Sequence, residues 1–359
     1  MHLSGQALYG RARCCSPDGH HGWNTQKCLC YTSPVNKTLT LTDLYRPIET
    51  ELDGVRDTVH QLWIDALALV RIDRDAAPRP GGKMLRPALS LLAAGAIGGT
   101  NLRQYVTLAS SFEALHIASL AHDDVIDRAI LRRGSSSLNV FWDNHAAVLG
   151  GDYLVARAVE MLATYDVCAV VGNAIRSVRC MAEGELYFFG REDEPIVAED
   201  CIMLAEQKTA SLFAEACSAP TYIIDPTHRK ALYHFGISLG IAFQLVDDVL
   251  DITQTTEQLG KPACGDIVEG KKTIPIMHLR HGLDANDTKR LDAMRNTDIS
   301  EEDREWVIAK AEETGAREKA EAITRSYADE ARRHLDQLPP SPYRDSMDGI
   351  VEFVTVRVS

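Results

Sequence analysis

From Leu41 onward the chain repeats its apolar residues every three to four positions, and no stretch sustains the every-second-residue alternation of a half-buried strand. A chain patterned this way can bury its apolar stripes only by packing helix on helix, so the expected fold class is all-α. Thr42-Asp43 reads as the N-cap of a stretch from Leu44 to Leu69. Pro and Gly cluster at 78–82, a helix follows from Leu85 to Ala96, and Gly98-Gly99-Thr100 ends it. A longer helix runs from Leu102 to Asp127 and gives way to an Arg132-Arg133-Gly134 loop. Further helices are expected over 145–165, 167–190, 197–217, 228–253, 273–282, 301–314 and 317–337, with loops at Asp225-Pro226, Pro262 and Pro339-Pro340. No repeat recurs at 20–50 residues, and no composition shift divides 41–359, which reads as one domain.

Composition narrows the class further. Aromatics are 6% of the 359 residues, which argues against a protein of aromatic-rich strands. The formal charge is −13, and an acidic chain is a poor nucleic-acid binder because duplex affinity rests on Lys and Arg neutralising phosphates. No apolar run approaches the ~18 residues of a membrane span, and no signal-peptide core is present. Residues 1–40 stand apart. They carry Arg11, Arg13, Lys27 and Lys37 against Asp18, lack periodicity, and hold Cys14, Cys15, Cys28 and Cys30 beside His20 and His21. This head reads as an unstructured extension or as sequence upstream of the true start, with an organellar transit peptide or a soft-metal site as the other readings. The remaining cysteines (Cys168, Cys180, Cys201, Cys217 and Cys264) are scattered through apolar pattern, as in a reduced, cytoplasmic protein.

Two acidic clusters break the apolar pattern. Asp123-Asp124-Val-Ile-Asp127 ends one helix and Asp247-Asp248-Val-Leu-Asp251 lies in another. In each, the first and last Asp are one turn apart, and like charges there weaken a helix unless a cation sits between them. Hard carboxylate oxygens suit Mg²⁺, which takes few protein carboxylates and completes its shell with water and phosphate. The blander reading is two solvated acidic patches. Basic residues argue against it: Lys83 and Arg86 in Gly-Gly-Lys-Met-Leu-Arg-Pro at 81–87, Arg132 and Arg133 after the first cluster, Lys208 beside Thr209, and Lys261 and Lys271 after the second. Singly these are surface charges; together with carboxylate-held metal they describe a site for diphosphate esters.

These motifs, with Glu113-x-x-His116, Gly151-Asp152-Tyr153-Leu154, Lys208-Thr209-Ala210 and Phe243-Gln244, resemble those of the trans-isoprenyl diphosphate synthases, the polyprenyl synthetase family. The likeness spans about Leu41 to Arg357. It implies one bundle of antiparallel helices around a deep cavity, usually in a homodimer, and three Mg²⁺ per site. It further implies that Asp123, Asp127 and Asp247 bind the metals bridging an allylic diphosphate, with Asp124, Asp248 and Asp251 in support. Arg132, Lys208 and Lys261 would grip that diphosphate. Lys83, Arg86, His116 and Arg133 would hold isopentenyl diphosphate, with Gln244 and Thr209 close to the reacting groups and Lys271 a further diphosphate contact. The chain departs from the family pattern at Met84, Phe188, Ser135–Ser137 and Cys264-Gly265.

Product length is read from the helix before Asp123. Residues 119, 116 and 112 lie within about 40° of Asp123 on the helix face. Where short-chain members of the family carry bulky aromatics, this chain has Ser119 and Ala118. A C15 product is therefore not expected, and a medium or long polyprenyl product is favoured over geranylgeranyl. Phe112, roughly 16 Å along the helix from Asp123, is either a deep floor or ordinary core. Two rivals remain: a class I terpene cyclase, which needs no grip for isopentenyl diphosphate, and a non-catalytic subunit of a heteromeric synthase, which tends to lose the acids retained here.

Overall fold

The structure is a computed structural model that describes residues 40–70, 81–127, 131–132, 135–136, 140, 142–191, 194–195, 197–259 and 262–356. The basic, cysteine-rich head lies outside these residues, as do Arg133 and Lys261. From residue 39 the chain packs as one compact unit.

The unit is helical, as the periodicity requires. Its helices are α1 (Leu41–Tyr45), α2 (Glu49–Leu69), α3 (Leu85–Ala96), α4 (Val106–Ile126), α5 (Asn144–Ala163), α6 (Cys168–Phe188) and α7 (Ala198–Leu204). A π-helical segment, Ala205–Ala210, joins α7 to α8 (Ser211–Ser218). Then come α9 (Arg229–Thr253), the one-turn α10 (Thr256–Leu259) and α11 (Gly265–Val268), α12 (Ile274–Gly282), α13 (Ala285–Ala293), α14 (Glu301–Glu313), α15 (Ala316–Leu335) and α16 (Pro342–Thr355). The one strand pairing among the described residues is a two-residue ladder, Leu131–Arg132 against Ser135–Ser136.

Several boundaries differ from expectation. The first cap is Thr40, whose hydroxyl accepts the Asp43 N–H at 3.2 Å, and not Thr42-Asp43. Pro47 then converts Arg46–Ile48 into a 3-10 turn, so the expected single stretch is two helices. The helix bearing the first acids begins at Val106, because Leu102–Tyr105 is 3-10. α13 and α16 escaped the periodicity. α13 buries only Leu291 among its own residues, and α16 follows prolines that read as a loop. Pro342 is in fact the first residue of α16, where a missing N–H costs nothing, and Ser341 caps the helix by accepting the Arg344 N–H at 3.2 Å.

Two apolar cores hold the unit together. The larger gathers α2, α3, α4, α8, α9 and α16 around fully buried Phe112, Phe213 and Phe235. The smaller joins α9 through Ile252 to Ile267, Leu279, Leu291 and Val307. Glycines set the closest helix contacts. A Cβ at Gly151 would lie 2.2 Å from His122 Nε2, so the His122 ring of α4 packs onto α5 at a residue that has no side chain.

Candidate active site

A cavity of about 1310 Å³ opens among α3, α4, α5, α6, the π-helical segment and α9. One end is ionic, and the other runs down α4 into apolar side chains.

The acidic end is built by helix stripes. Gly236, Gly240, Gln244 and Asp248 are spaced one turn apart on α9. A Cβ at Gly236 would come within 2.5 Å of Ala214 Cα, and one at Gly240 within 2.4 Å of Ala210 Cα. The backbones of α9, α8 and the π-helical segment therefore touch, and the next residue on the stripe reaches across. The Thr209 hydroxyl donates to Gln244 Oε1 at 2.6 Å, and the Gln244 amide donates to Asp248 Oδ1 at 2.8 Å. The π-helical turn carries both Lys208 and Thr209, in keeping with the habit of such turns to occur at functional sites.

The six aspartates separate into two groups. Asp123, Asp127 and Asp247 line the cavity. Asp124, Asp248 and Asp251 are buried behind it, at 0%, 6% and 1% exposure. The ends of each cluster stand one turn apart on their helix, but only Asp123 and Asp127 both reach the cavity; in the second cluster Asp247 does and Asp251 does not. Asp251 instead accepts the Asp266 N–H at 3.0 Å through Oδ2, while its carbonyl accepts the Cys264 N–H at 2.9 Å, which ties α11 to α9. Burial, then the neighbouring Asp266, Asp247 and Asp251 carboxylates, push the Asp248 carboxyl well above its usual range.

The cations fall into two sets. Lys208 Nζ lies 3.7 Å from Asp123 and pairs closely with Glu185 of α6. Burial works against its charge, but Asp123 and Glu185 outweigh that and hold its pKa above the ordinary lysine value. Lys271 lies 3.8 Å from Asp127 and 3.7 Å from Asp266 and pairs with Glu269, so it too stays charged despite burial. The second set sits on rings. Arg86 stacks 4.5 Å from the Phe213 centroid, and Lys83 Nζ lies 6.0 Å from Phe243 and 5.8 Å from Phe353. Lys83, Arg86 and His116 all line the cavity. Arg132 is placed by its strand pairing.

Glu185, Asp152, Asp266 and Glu269 were not singled out from the sequence as site residues. Two have a sequence signal that explains them after the fact. Gly184 admits the π-helical segment, since a Cβ there would lie 3.1 Å from Gln207 Cβ, and Glu185 follows it. Gly151 likewise precedes Asp152, which lines the cavity.

The apolar end is lined by Leu115, Ser119 and Leu120 of α4, Val155 of α5, and Val178 and Met181 of α6. Leu115 lies about 12 Å along α4 from Asp123. Phe112 is fully buried in the main core and is not among the lining residues, so it packs and does not form a floor. Phe188 is not a lining residue either; its ring meets Tyr187 edge to face.

No three His, Cys, Asp or Glu side chains among the described residues form a closed cage for a metal ion. The donor set nevertheless fits Mg²⁺, a cation that needs one or two carboxylates and takes the rest of its shell from water and phosphate. Carboxylates crowded enough to raise Asp248 are also those a divalent cation would relieve.

Comparison with known proteins agrees with this architecture. The polyprenyl synthetase family model matches residues 75–314. The chain is 32% identical over 321 residues to an all-trans-nonaprenyl-diphosphate synthase (geranyl-diphosphate specific) of Rhodobacter capsulatus, covering 88% of this chain and 98% of that one. It is 34% identical over 284 residues to the octaprenyl diphosphate synthase of Escherichia coli, covering 77% and 86%. Among solved structures, a Caulobacter crescentus polyprenyl synthase complexed with calcium and isoprenyl diphosphate superposes with a TM-score of 0.79 at 31% identity, covering 90% of this chain and all of that one. The chain therefore belongs to the polyprenyl synthetase family of trans-isoprenyl diphosphate synthases and is a prenyltransferase.

Proposed function

We propose that the cavity condenses isopentenyl diphosphate with an allylic diphosphate, head to tail, and repeats the step to a medium or long polyprenyl diphosphate. The observation that carries this reading is the meeting of two cation sets in one cavity. Lys208 and Lys271 stand among the carboxylates, and Lys83 and Arg86 stand on aromatic rings, so two diphosphates can be held side by side.

Mg²⁺ would be held by Asp123, Asp127 and Asp247, backed by Asp124, Asp248 and Asp251; bound there, it supplies Lewis-acid charge to the allylic diphosphate. Three ions per site is the number the family resemblance implies. Lys208, Lys261 and Arg132 grip the same diphosphate and bear the charge that grows on it as the allylic C1–O bond breaks. Lys83, Arg86, His116 and Arg133 orient isopentenyl diphosphate so that its double bond attacks the allylic cation. Thr209 and Gln244 keep the region between them ordered, and Lys271 adds a further diphosphate contact. A proton then leaves to the departed diphosphate, and the apolar wall from Leu115 to Met181 keeps water from the cation. With Ser119 on that wall, the growing chain has room past the first turn below Asp123.

A homodimer is supported by the exposed apolar residues of neighbouring helices: Val148 and Leu149 on α5, Ile175 and Leu186 on α6, and Phe189 just beyond, at 83% exposure. No helix among the described residues is long and apolar enough to cross a membrane. A cytoplasmic location fits, with an organelle the alternative if residues 1–40 act as a transit peptide. The direct test of the site is Asp123→Ala assayed with isopentenyl and farnesyl diphosphates. Turnover should fall by orders of magnitude; unchanged turnover would refute the assignment of metal ligands.

A further inference from the structure

Lys83 is held from two sides by the ends of the folded unit. On one side, the Tyr45 hydroxyl of α1 donates to the Lys83 carbonyl at 2.6 Å. Burial and the nearby Glu113 carboxylate keep that phenol protonated, with its pKa raised above the ordinary tyrosine value. At the other end, the Phe353 ring of α16 lies 5.8 Å from the Lys83 ammonium, which also lies 6.0 Å from the Phe243 ring. The segment between needs holding, because Gly81 and Gly82 precede it and Met84 enters α3 with a left-handed φ of 52°.

The position of Phe353 follows from two close contacts of α16. A Cβ at Gly95 would lie 2.6 Å from the Tyr343 ring, and one at Gly349 would lie 2.3 Å from Leu44 Cδ2. The first contact seats α16 on α3 and the second on α1. Phe353 is one turn beyond Gly349 and so shares its face. Leu44, which Gly349 admits, is the neighbour of Tyr45. The α1–α16 contact thus brings the hydroxyl and the ring to the same lysine.

Phe353 lies outside the matched residues 75–314 and does not line the cavity, whereas Lys83 does. We propose that Phe353 is a positioning residue for isopentenyl diphosphate: its ring steers the Lys83 ammonium toward the cavity, while Tyr45 fixes the backbone that carries it. This rests on the proposed role of Lys83. A ring near 6 Å attracts the ammonium through the negative charge of its π face and so biases where the Lys83 side chain lies.

The test is steady-state kinetics of the full chain with isopentenyl diphosphate varied at saturating allylic substrate. Lys83→Ala should raise KM for isopentenyl diphosphate at least about tenfold, the range for losing a charge-assisted contact. Phe353→Leu, or Phe353→Met should the first fold poorly, should raise the same KM about 2- to 5-fold. Most of the effect should fall in KM and little in kcat, with KM for the allylic substrate unmoved and Phe353→Tyr restoring the loss. In the Lys83→Ala background, Phe353→Leu should add nothing. An unchanged KM in both Phe353 variants, or a rise that persists without Lys83, overturns the inference. If Lys83→Ala itself leaves KM for isopentenyl diphosphate unchanged, the substrate role of Lys83 is what fails.

Discussion

Glu215 on α8 is a carboxyl with 5% exposure, outside the cavity and inside the contact between α6, α8 and α9. Burial raises its pKa to about 7, against the partial opposition of Arg176 and Ser218. An acid whose folded-state pKa exceeds its unfolded value stabilises the fold least when ionised. The stability it allows is complete below about pH 4.5 and is lost as pH rises through about 7. A shift of this size corresponds to about 3 kcal/mol, at 1.36 kcal/mol per pKa unit. Glu215→Gln keeps the shape of the protonated acid and removes the titration. Urea unfolding of both proteins from pH 4.5 to 8.5 reads the difference directly. The two should be nearly equally stable at the acidic end, and the variant should gain progressively, to about 3 kcal/mol by pH 8. A difference that does not change with pH, or a variant that is less stable throughout, would refute the burial argument.

Other expectations follow from the same contacts. Gly240→Ala drives a Cβ into Ala210 Cα and should cost about 1–3 kcal/mol, together with activity lost through the displaced Thr209–Gln244 pair, read by urea unfolding and turnover. Phe112→Ala should cost about 3–5 kcal/mol and leave product length unchanged, whereas Leu115→Ala should lengthen the product and Ser119→Phe shorten it, read by chromatography of dephosphorylated products. Chelation of Mg²⁺ should abolish calorimetric binding of farnesyl diphosphate, because the cavity then opposes it with the Asp123, Asp127 and Asp247 charges; undiminished binding would show that the lysines suffice alone.

The all-α class and most helices were legible because a core-facing helix must repeat its apolar residues at 3.6. α13 was not, since a helix that buries only Leu291 leaves almost no periodic trace. α16 was hidden because a proline at the first helical position resembles one in a loop. The lysines and aspartates of the site stood out as charges inside apolar pattern. The spacing alone did not tell which aspartates face the cavity, and the split between Asp123, Asp127 and Asp247 and the other three came only from the family resemblance: it depends on how Gly236 and Gly240 let α9 approach α8, and on Asp251 turning to hold α11. Glu185 and Phe353 were equally out of reach. A single carboxylate or ring in a helix becomes informative only once Lys208 or Lys83 is known to lie against it. The acidic total of −13 likewise hid a site for polyanions, because local charge and bound metal govern binding there more than the sum over the chain.

The central claim is that this single chain elongates an allylic diphosphate with isopentenyl units. It is tested most directly by incubating the purified protein with Mg²⁺, farnesyl diphosphate and labelled isopentenyl diphosphate and determining the product chain length. A linear labelled polyprenyl diphosphate longer than C20 is expected. A cyclic hydrocarbon formed without consuming isopentenyl diphosphate, or no turnover until a second subunit is added, would contradict it.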